Sequence, residues 1–333
     1  MKLFQVLGAA FLASALGASA ARADEVKLIF LSMVPAEAPV LAGSYHPWVD
    51  RVNAAGKGLV HIEERDGYAL ANLDNVYNRV LDDVVQIAFA QQNAIAGKFI
   101  RSTMAGLPFV SVDSETASLA LWRLYASGQI SAEYDDIVPL FLTVFPQSGI
   151  HFTHPIAALD DLKGLKLIAV GKAQADAVTA LGGAPLSIPL TETYTALQRG
   201  AADGAVASWS TFKPFRLGDV TRYHVEAQLG TSTGMVFMAK KRFNALPPAA
   251  QKVLMDNSGE GMSRSFGAYI DSEAKDTRDG VIKAKQVVTA PSPKQVEAWR
   301  KKVTPNDTAY ANTVPNGPAI LDSYRKLLSG AQK

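Results

Sequence analysis

Cysteine is absent from this 333-residue chain. No disulfide can brace it, no thiolate can hold a metal, and no lipid-modified cysteine can tether it. An excess of one charge is also missing, with Lys+Arg 33 against Asp+Glu 31. Without a basic run, nucleic acid is excluded as a partner, and any affinity for anions must be local. The usual catalytic words are missing as well. There is no Gly-x-Ser-x-Gly elbow, no Gly-x-Gly-x-x-Gly, no phosphate-binding loop and no His-Glu-x-x-His. His151 and His154 stand three apart without a third ligand to join them, so a structural or ligand-bonding role is expected rather than a metal. Asp82-Asp83, Asp135-Asp136 and Asp160-Asp161 read as solvated helix-end or loop pairs. No cofactor, no metal and no catalysis are expected.

Long hydrophobic runs are scarce too. The one apolar stretch, Leu3 to Leu16, is shorter than the roughly 20 residues that span a bilayer. Preceded by Lys2 and followed by Ala18-Ser19-Ala20 and Ala21-Arg22-Ala23, it reads as an export signal over 1–23 with cleavage after Ala23. Cleavage removes Lys2 and Arg22 and leaves 31 charges of each sign. About 310 residues remain, more than one ordinary core organises, so two lobes are expected.

What is present is a pattern. Apolar runs at Leu165–Val170, Leu186–Ile188 and Ala205–Ala207 alternate with two helical segments, which is βαβαβ. Thr191 is placed to cap the second helix and Gly200 to end it. The first half repeats the arrangement. Strands are expected at Val26–Leu31, Leu59–Glu63 and Val85–Ala90, with helices at Val40–Ala54 and Asn72–Asp82. A helix follows over Ser114–Gly128. Thr143 to His151 and Gly230 to Met238 read as extended crossings between halves. Ala249 to Lys285 reads as a long helical tract broken near Gly259, Gly261 or Gly267, and Tyr310 to Leu328 as a tail helix on the second lobe. The expected division is 24–145 plus 234–273 for the first lobe and 146–233 plus 274–333 for the second.

Parallel strands joined by right-handed crossovers put their C-terminal ends on one edge, and open α/β sheets bind ligands there. That edge would carry the loops with Glu37, with Gln91 and Asn93, with Gly171 and Lys172, and with Ala207, Ser208 and Trp209.

Four words in this stretch also resemble a family: Asp161-Leu-Lys-Gly-Leu-Lys-Leu167, Leu181-Gly-Gly-Ala-Pro185, Glu192-Thr-Tyr-Thr-Ala-Leu-Gln-Arg-Gly200 and Ala202-Asp-Gly-Ala205. They are similar to the extracytoplasmic solute-binding proteins of TRAP transporters (tripartite ATP-independent periplasmic transporters). The resemblance implies a two-lobed, type II-like periplasmic binding protein of the α/β class. Each lobe would be a βαβαβ sheet flanked by helices, with a long helix backing both. It implies a small organic acid as ligand, membrane permease subunits as partners, and a monomer in the periplasm. A binding subunit of an ATP-driven transporter or of a sensor would share the fold.

Family members usually hold a ligand carboxylate with an arginine on the strand after Gly-Leu-Lys, where this chain has Ile168. A bidentate guanidinium is thereby lost. Trp209 and His151 resemble one branch of the family, in which Ser210 here replaces a glutamate. Lys172, Arg216 and Arg101 remain as cation candidates, and Trp209, Phe212 and Trp48 as aromatic ones. The expected ligand is a monocarboxylate with an apolar or aromatic body against Trp209, Ile168 and Ala207. Its acid group would be met by Lys172, Gly171 amides, Ser208 or His151. A dicarboxylate or sugar acid is the alternative.

Overall fold

The computed structural model describes residues 25–156 and 162–331. The expected export signal and the Asp160-Asp161 pair lie outside the described residues.

In chain order the first half gives β1 (Val26–Leu31), α1 (His46–Ala55), β2 (Val60–Arg65), α2 (Val76–Leu81), β3 (Ile87–Gln91), α3 (Ser114–Ala126) and β4 (Ile137–Val144). The second half gives β5 (Gly149–Phe152), β6 (Lys166–Ile168), α4 (Lys172–Ala180), β7 (Ala184–Leu186), α5 (Thr193–Gln198), β8 (Gly204–Ala207), α6 (Phe212–Phe215), α7 (Leu217–Val220) and β9 (Tyr223–Val225). The chain then returns through β10 (Thr233–Ala239), α8 (Lys240–Asn244), α9 (Pro248–Asp256) and α10 (Gly259–Lys283). It closes with β11 (Val287–Thr289), α11 (Pro293–Asn312) and α12 (Gly317–Ala331).

The strands form two sheets, β2-β1-β3-β10-β4 and β11-β9-β5-β8-β6-β7. Both contain the same unit. β1 pairs in parallel with β2 and β3, and β6 pairs in parallel with β7 and β8. In each unit the first strand therefore lies between the second and the third. Beside the third strand lies an antiparallel one, β10 in the first sheet and β5 in the second. β10 and β5 each arrive from the opposite lobe, so these two crossings feed directly into a sheet.

Burial follows from side-chain period. Along β8, Ala205 and Ala207 face one cluster with Ile168, Leu197, Phe212 and Leu217, while Val206 faces the other with Leu167, Ile150 and Trp299. That is the two-residue alternation of a sheet covered on both faces. The first lobe has a single aromatic-rich cluster, in which Phe30 meets Tyr45 and Trp48 edge-on at 5.2 and 5.3 Å.

The long tract breaks at Asn257–Ser258, where Gly259 takes φ +66° and starts α10. Gly267 breaks nothing. It sits inside α10, where a Cβ would lie 2.3 Å from the Ser114 carbonyl, so glycine lets α10 cross α3 at backbone contact. Phe266 and Ile270 of α10 belong to the first-lobe cluster and Val281 to a second-lobe cluster, so this helix backs both lobes. Gly200 ends α5 with φ +69° as expected. Thr191 makes no cap; the turn is closed by Thr193 Oγ1 donating to the Pro189 carbonyl at 3.2 Å.

The tail corrects another expectation. Trp299 and Val303 of α11 join the second lobe, but Ala311, Ile320, Leu321, Tyr324 and Leu328 pack on the first. The apolar stripe of α12 finds α3, and the buried Tyr324 hydroxyl finds its acceptor there, the Ala117 carbonyl at 3.1 Å.

Candidate functional site

Between the lobes lies a cleft with a cavity volume of about 100 Å³, open to solvent. Strand ends reach it as the sheet-edge rule predicts. Met33 and Val34 follow β1, Gln91 ends β3, Val170 follows β6, and Ala207 and Ser208 end β8. The crossings add Phe145 and Ser148 on one path and Thr231 and Ser232 on the other, and α10 supplies Phe266, Ile270 and Glu273.

One wall is aromatic. Tyr45 stacks on Phe266 with centroids 5.6 Å apart, Phe145 stands edge-on to Phe266 at 6.2 Å, and Phe89 stands edge-on to Phe145 at 6.1 Å. All four line the cleft. The sequence carried a usable signal for Phe89. It lies two residues before Gln91 on β3 and so shares its face. No comparable signal marks Tyr45 or Phe266, whose helical spacing reads only as core.

The facing wall is made of hydroxyls and amides. Ser208 Oγ and Ser210 Oγ share a hydrogen bond of 2.7 Å, and Thr211 lies beside them. Gln174, buried at the start of α4, ties both crossings together. Its Nε2 donates to Ser148 Oγ at 2.9 Å and to the Gly230 carbonyl at 3.3 Å, and its Oε1 accepts from the Val170 amide at 3.0 Å. No Lys, Arg or His is among the described residues lining the cleft, and Glu273 is the one carboxylate there.

Of the residues expected at the site, Ser208, Ala207 and Gln91 line the cleft. The others stand elsewhere. Ile168 is buried in a second-lobe cluster behind the strand. Trp209 points away from the cleft, because the chain turns into a tight helical turn over Trp209–Thr211 that aims Ser208 and Ser210 inward and the residue between them outward. Its indole packs on His151 and Phe212, each with centroids 4.7 Å apart, and on His224 at 5.1 Å.

His151 is sealed beneath the wall. Its Nε2 donates to the Ala207 carbonyl at 2.9 Å, so its Nδ1 accepts from His224 Nδ1 at 3.0 Å. Burial lowers the His151 pKa to about 3, helped by the neighbouring His224, and the ring stays neutral. It positions the strand end and cannot meet a ligand directly. Lys172 is exposed at the first turn of α4 and bonds Asp176 at 2.6 Å. Asn93 Oδ1 accepts from the Thr233 amide at 2.9 Å, and its amide nitrogen lies near Gly171 of the other lobe. Glu37 is exposed off the cleft. Arg216 pairs with Asp219 at 2.8 Å, Arg101 lies off the cleft, and Trp48 is buried in the first core with its indole N–H on Ser258 Oγ. Among the described residues no group of three or more His, Asp or Glu is placed to hold a metal.

Comparison with known proteins agrees with this geometry. The family described as bacterial extracellular solute-binding protein, family 7 (DctP), matches residues 31–313. A TRAP solute-binding protein from Rhodoferax ferrireducens T118, solved in complex with copurified benzoate, is 25% identical. Its alignment covers 92% of this chain and 98% of that one, with a TM-score of 0.87. A Bordetella bronchiseptica protein solved with (R)- and (S)-mandelate is 24% identical over 92% of this chain and 99% of its own, with a TM-score of 0.83. The "Outer membrane transporter protein TsaT" of Comamonas testosteroni is 25% identical over 92% of this chain and 93% of that protein.

Proposed function

The chain belongs to the family 7 bacterial extracellular solute-binding proteins, and from that premise we propose that its cleft captures a monocarboxylic acid with an aromatic body for delivery to the membrane permease subunits of a TRAP-type transporter. The observation that carries this reading is the pairing of an aromatic wall with a hydroxyl wall that holds no cation.

A ring laid against Tyr45, Phe89, Phe145 and Phe266 gains roughly 25 cal/mol per Å² of apolar surface buried, and edge or stacking geometry adds about 0.5–1.5 kcal/mol. A single carboxylate can be met by the hydroxyls of Ser208, Ser210 and Thr211, each bond to a charged group contributing about 1.5–3 kcal/mol. A second carboxylate would shed its hydration with no cation to replace it, at a cost of several kcal/mol. The benzoate in the Rhodoferax ferrireducens relative is a ligand of this kind.

In this reading the protein is a non-catalytic monomeric carrier, exported to the periplasm by the leader at 1–23. The lobes divide at the crossings near 145/146 and 233/234 and close over the ligand by a hinge motion. Titration calorimetry against benzoate-like acids, C4 dicarboxylates and sugar acids tests the ligand class. Tightest binding is expected for an aromatic monocarboxylate, and a dicarboxylate or a sugar acid as best ligand would sink the proposal. Small-angle scattering should show a smaller radius of gyration with ligand bound, and an unchanged radius at saturation would rule out hinge closure.

A further inference from the structure

Two carboxylates turned inward in this protein are fully bonded. Glu133 accepts from the Arg101 and Ser102 amides at 2.6 and 3.0 Å and from the Ser102 hydroxyl at 2.7 Å. Asp271, on α10 itself, accepts from the Ser114 and Glu115 amides at 2.8 and 3.0 Å. Glu273 differs from both. It is only 6% exposed, it lines the cleft, and its Oε1 has no hydrogen-bond partner. Glu64 Oε1 is also unpaired, but Glu64 lies off the cleft wall beside His46, 3.6 Å away.

We propose that Glu273 is a specificity residue whose carboxyl accepts a hydrogen bond from a hydroxyl or amino group on the bound acid, so that the cleft prefers hydroxy- or amino-substituted aromatic acids to the bare ring. The proposal rests on the aromatic-acid reading of the cleft and names the substituent that reading leaves open.

Three features of the position support it. Glu273 follows Phe266 and Ile270 at helical spacing on α10, and all three line the cleft, so the carboxyl stands beside the aromatic wall. The groups acting on it are Lys213 from α6, Asp276 on its own helix and Tyr269 one turn back, and these leave Oε1 unbonded. An acceptor oxygen is present there whether the group is ionised or protonated, since burial favours the protonated form but a carboxylic acid keeps its carbonyl lone pairs. A bare aromatic acid would bring its own charge into the cleft and leave this oxygen desolvated. A hydroxyl or amino group fills it. A methyl ether of the same shape cannot, because it offers no proton. Selection by an unpaired buried polar group is the strong form of specificity.

The test is calorimetry on the mature chain with benzoate, 3- and 4-hydroxybenzoate, 3- and 4-methoxybenzoate and 3-aminobenzoate. At least one hydroxy or amino acid should bind roughly tenfold tighter than benzoate and than its methoxy analogue, the ratio of one well-formed bond. In Glu273→Leu that preference should fall to within about twofold while benzoate binds as well or better. Glu273→Gln, which keeps a carbonyl acceptor, should retain part of it. Should the leucine variant fail to fold in a thermal melt, the hydroxy-against-methoxy ratio of the wild type decides alone. Benzoate binding with no preference for donors, or a preference unchanged in Glu273→Leu, overturns the role of Glu273 and leaves the aromatic-acid reading standing. If no aromatic acid binds, that reading falls and the inference with it.

Discussion

On the first-lobe side the cleft is faced by Tyr45, Phe89 and Phe145, rings packed on one another and on Phe266 of α10. On the second-lobe side it is faced by Ser208, Ser210 and Thr211, short hydroxyl side chains at the end of a strand of alanines and valine. The strand order behind the two walls is the same, apart from the extra edge strand β11 in the second sheet. The difference lies in what each core leaves at its rim. The first lobe has one continuous aromatic cluster that runs out to the cleft. The second divides its apolar residues between two smaller clusters on either face of its sheet and buries a hydrogen-bonded histidine pair beside one of them. Repeated topology therefore sets where a ligand binds, while the packing of each lobe sets which part of the ligand it can hold.

The contrast is open to direct attack. Truncating the aromatic wall should have the largest effect. Phe266 is buried and touches Tyr45, Phe141 and Phe145, so Phe266→Ala should lower unfolding free energy by about 3–5 kcal/mol and abolish detectable ligand binding. A denaturant melt showing a loss below about 1 kcal/mol would mean that the wall is not part of the core.

Removing the hydroxyl wall should act on affinity instead. The double change Ser208→Ala with Ser210→Ala removes two donors that bond only to each other in the free protein. Affinity for an aromatic acid should drop by about 2–3 kcal/mol, roughly 30- to 150-fold, with little change in melting temperature. Unchanged affinity by calorimetry would move the carboxylate to another part of the cleft.

Trp209 separates the two walls from the scaffold behind them. Trp209→Ala should cost about 2 kcal/mol of stability, through lost packing on His151, Phe212 and His224, yet change affinity less than about threefold. A tenfold loss of affinity at full stability would return the indole to the ligand.

A last effect, on pH dependence, belongs to the second lobe and is offset in the wild type by two carboxylates of opposite sign. Burial depresses the His151 pKa to about 3 and lowers that of His224 as well. The unfolded chain, with histidines near 6.5, then binds more protons than the folded one between those values. Stability from this pair is present above about pH 6.5 and is lost as pH falls toward 3, by up to about 1.4 kcal/mol per pH unit for His151. Glu64 and Asp307 act with the opposite sign. Burial raises both to about 7, so the folded state holds their protons and their share is lost as pH rises from about 4 to 7. Comparing pH 4–7 melts of the wild type with His151→Asn isolates the histidine share. The variant's curve should rise less steeply with pH, and parallel curves would remove the pair from the account.

Much of this was legible in the chain. Val26–Leu31 reads as a strand and is one, the crossing before β5 reads as extended, and Gly200 ends its helix. The strand-end rule alone brought Gln91, Ala207 and Ser208 to the cleft. It erred at Trp209, because alternation was carried past the end of β8, into a turn where the inward positions are 208 and 210. It could not reveal Glu273, which lies on a helix distant in sequence from every strand end.

Composition and period therefore determined the class, the paired βαβαβ units and the edge where a ligand binds, since these follow from local alternation and from the handedness of crossovers. Only the tertiary structure decided the rest. It placed α12 on the first lobe, joined Tyr45, Phe145 and Phe266 into one wall, sealed His151 beneath Ala207, and left Glu273 unpaired beside the cleft. The reason is physical. Which atoms meet across a cleft depends on contacts between residues far apart in the chain, and the short-range periodicity of a sequence carries no record of those contacts.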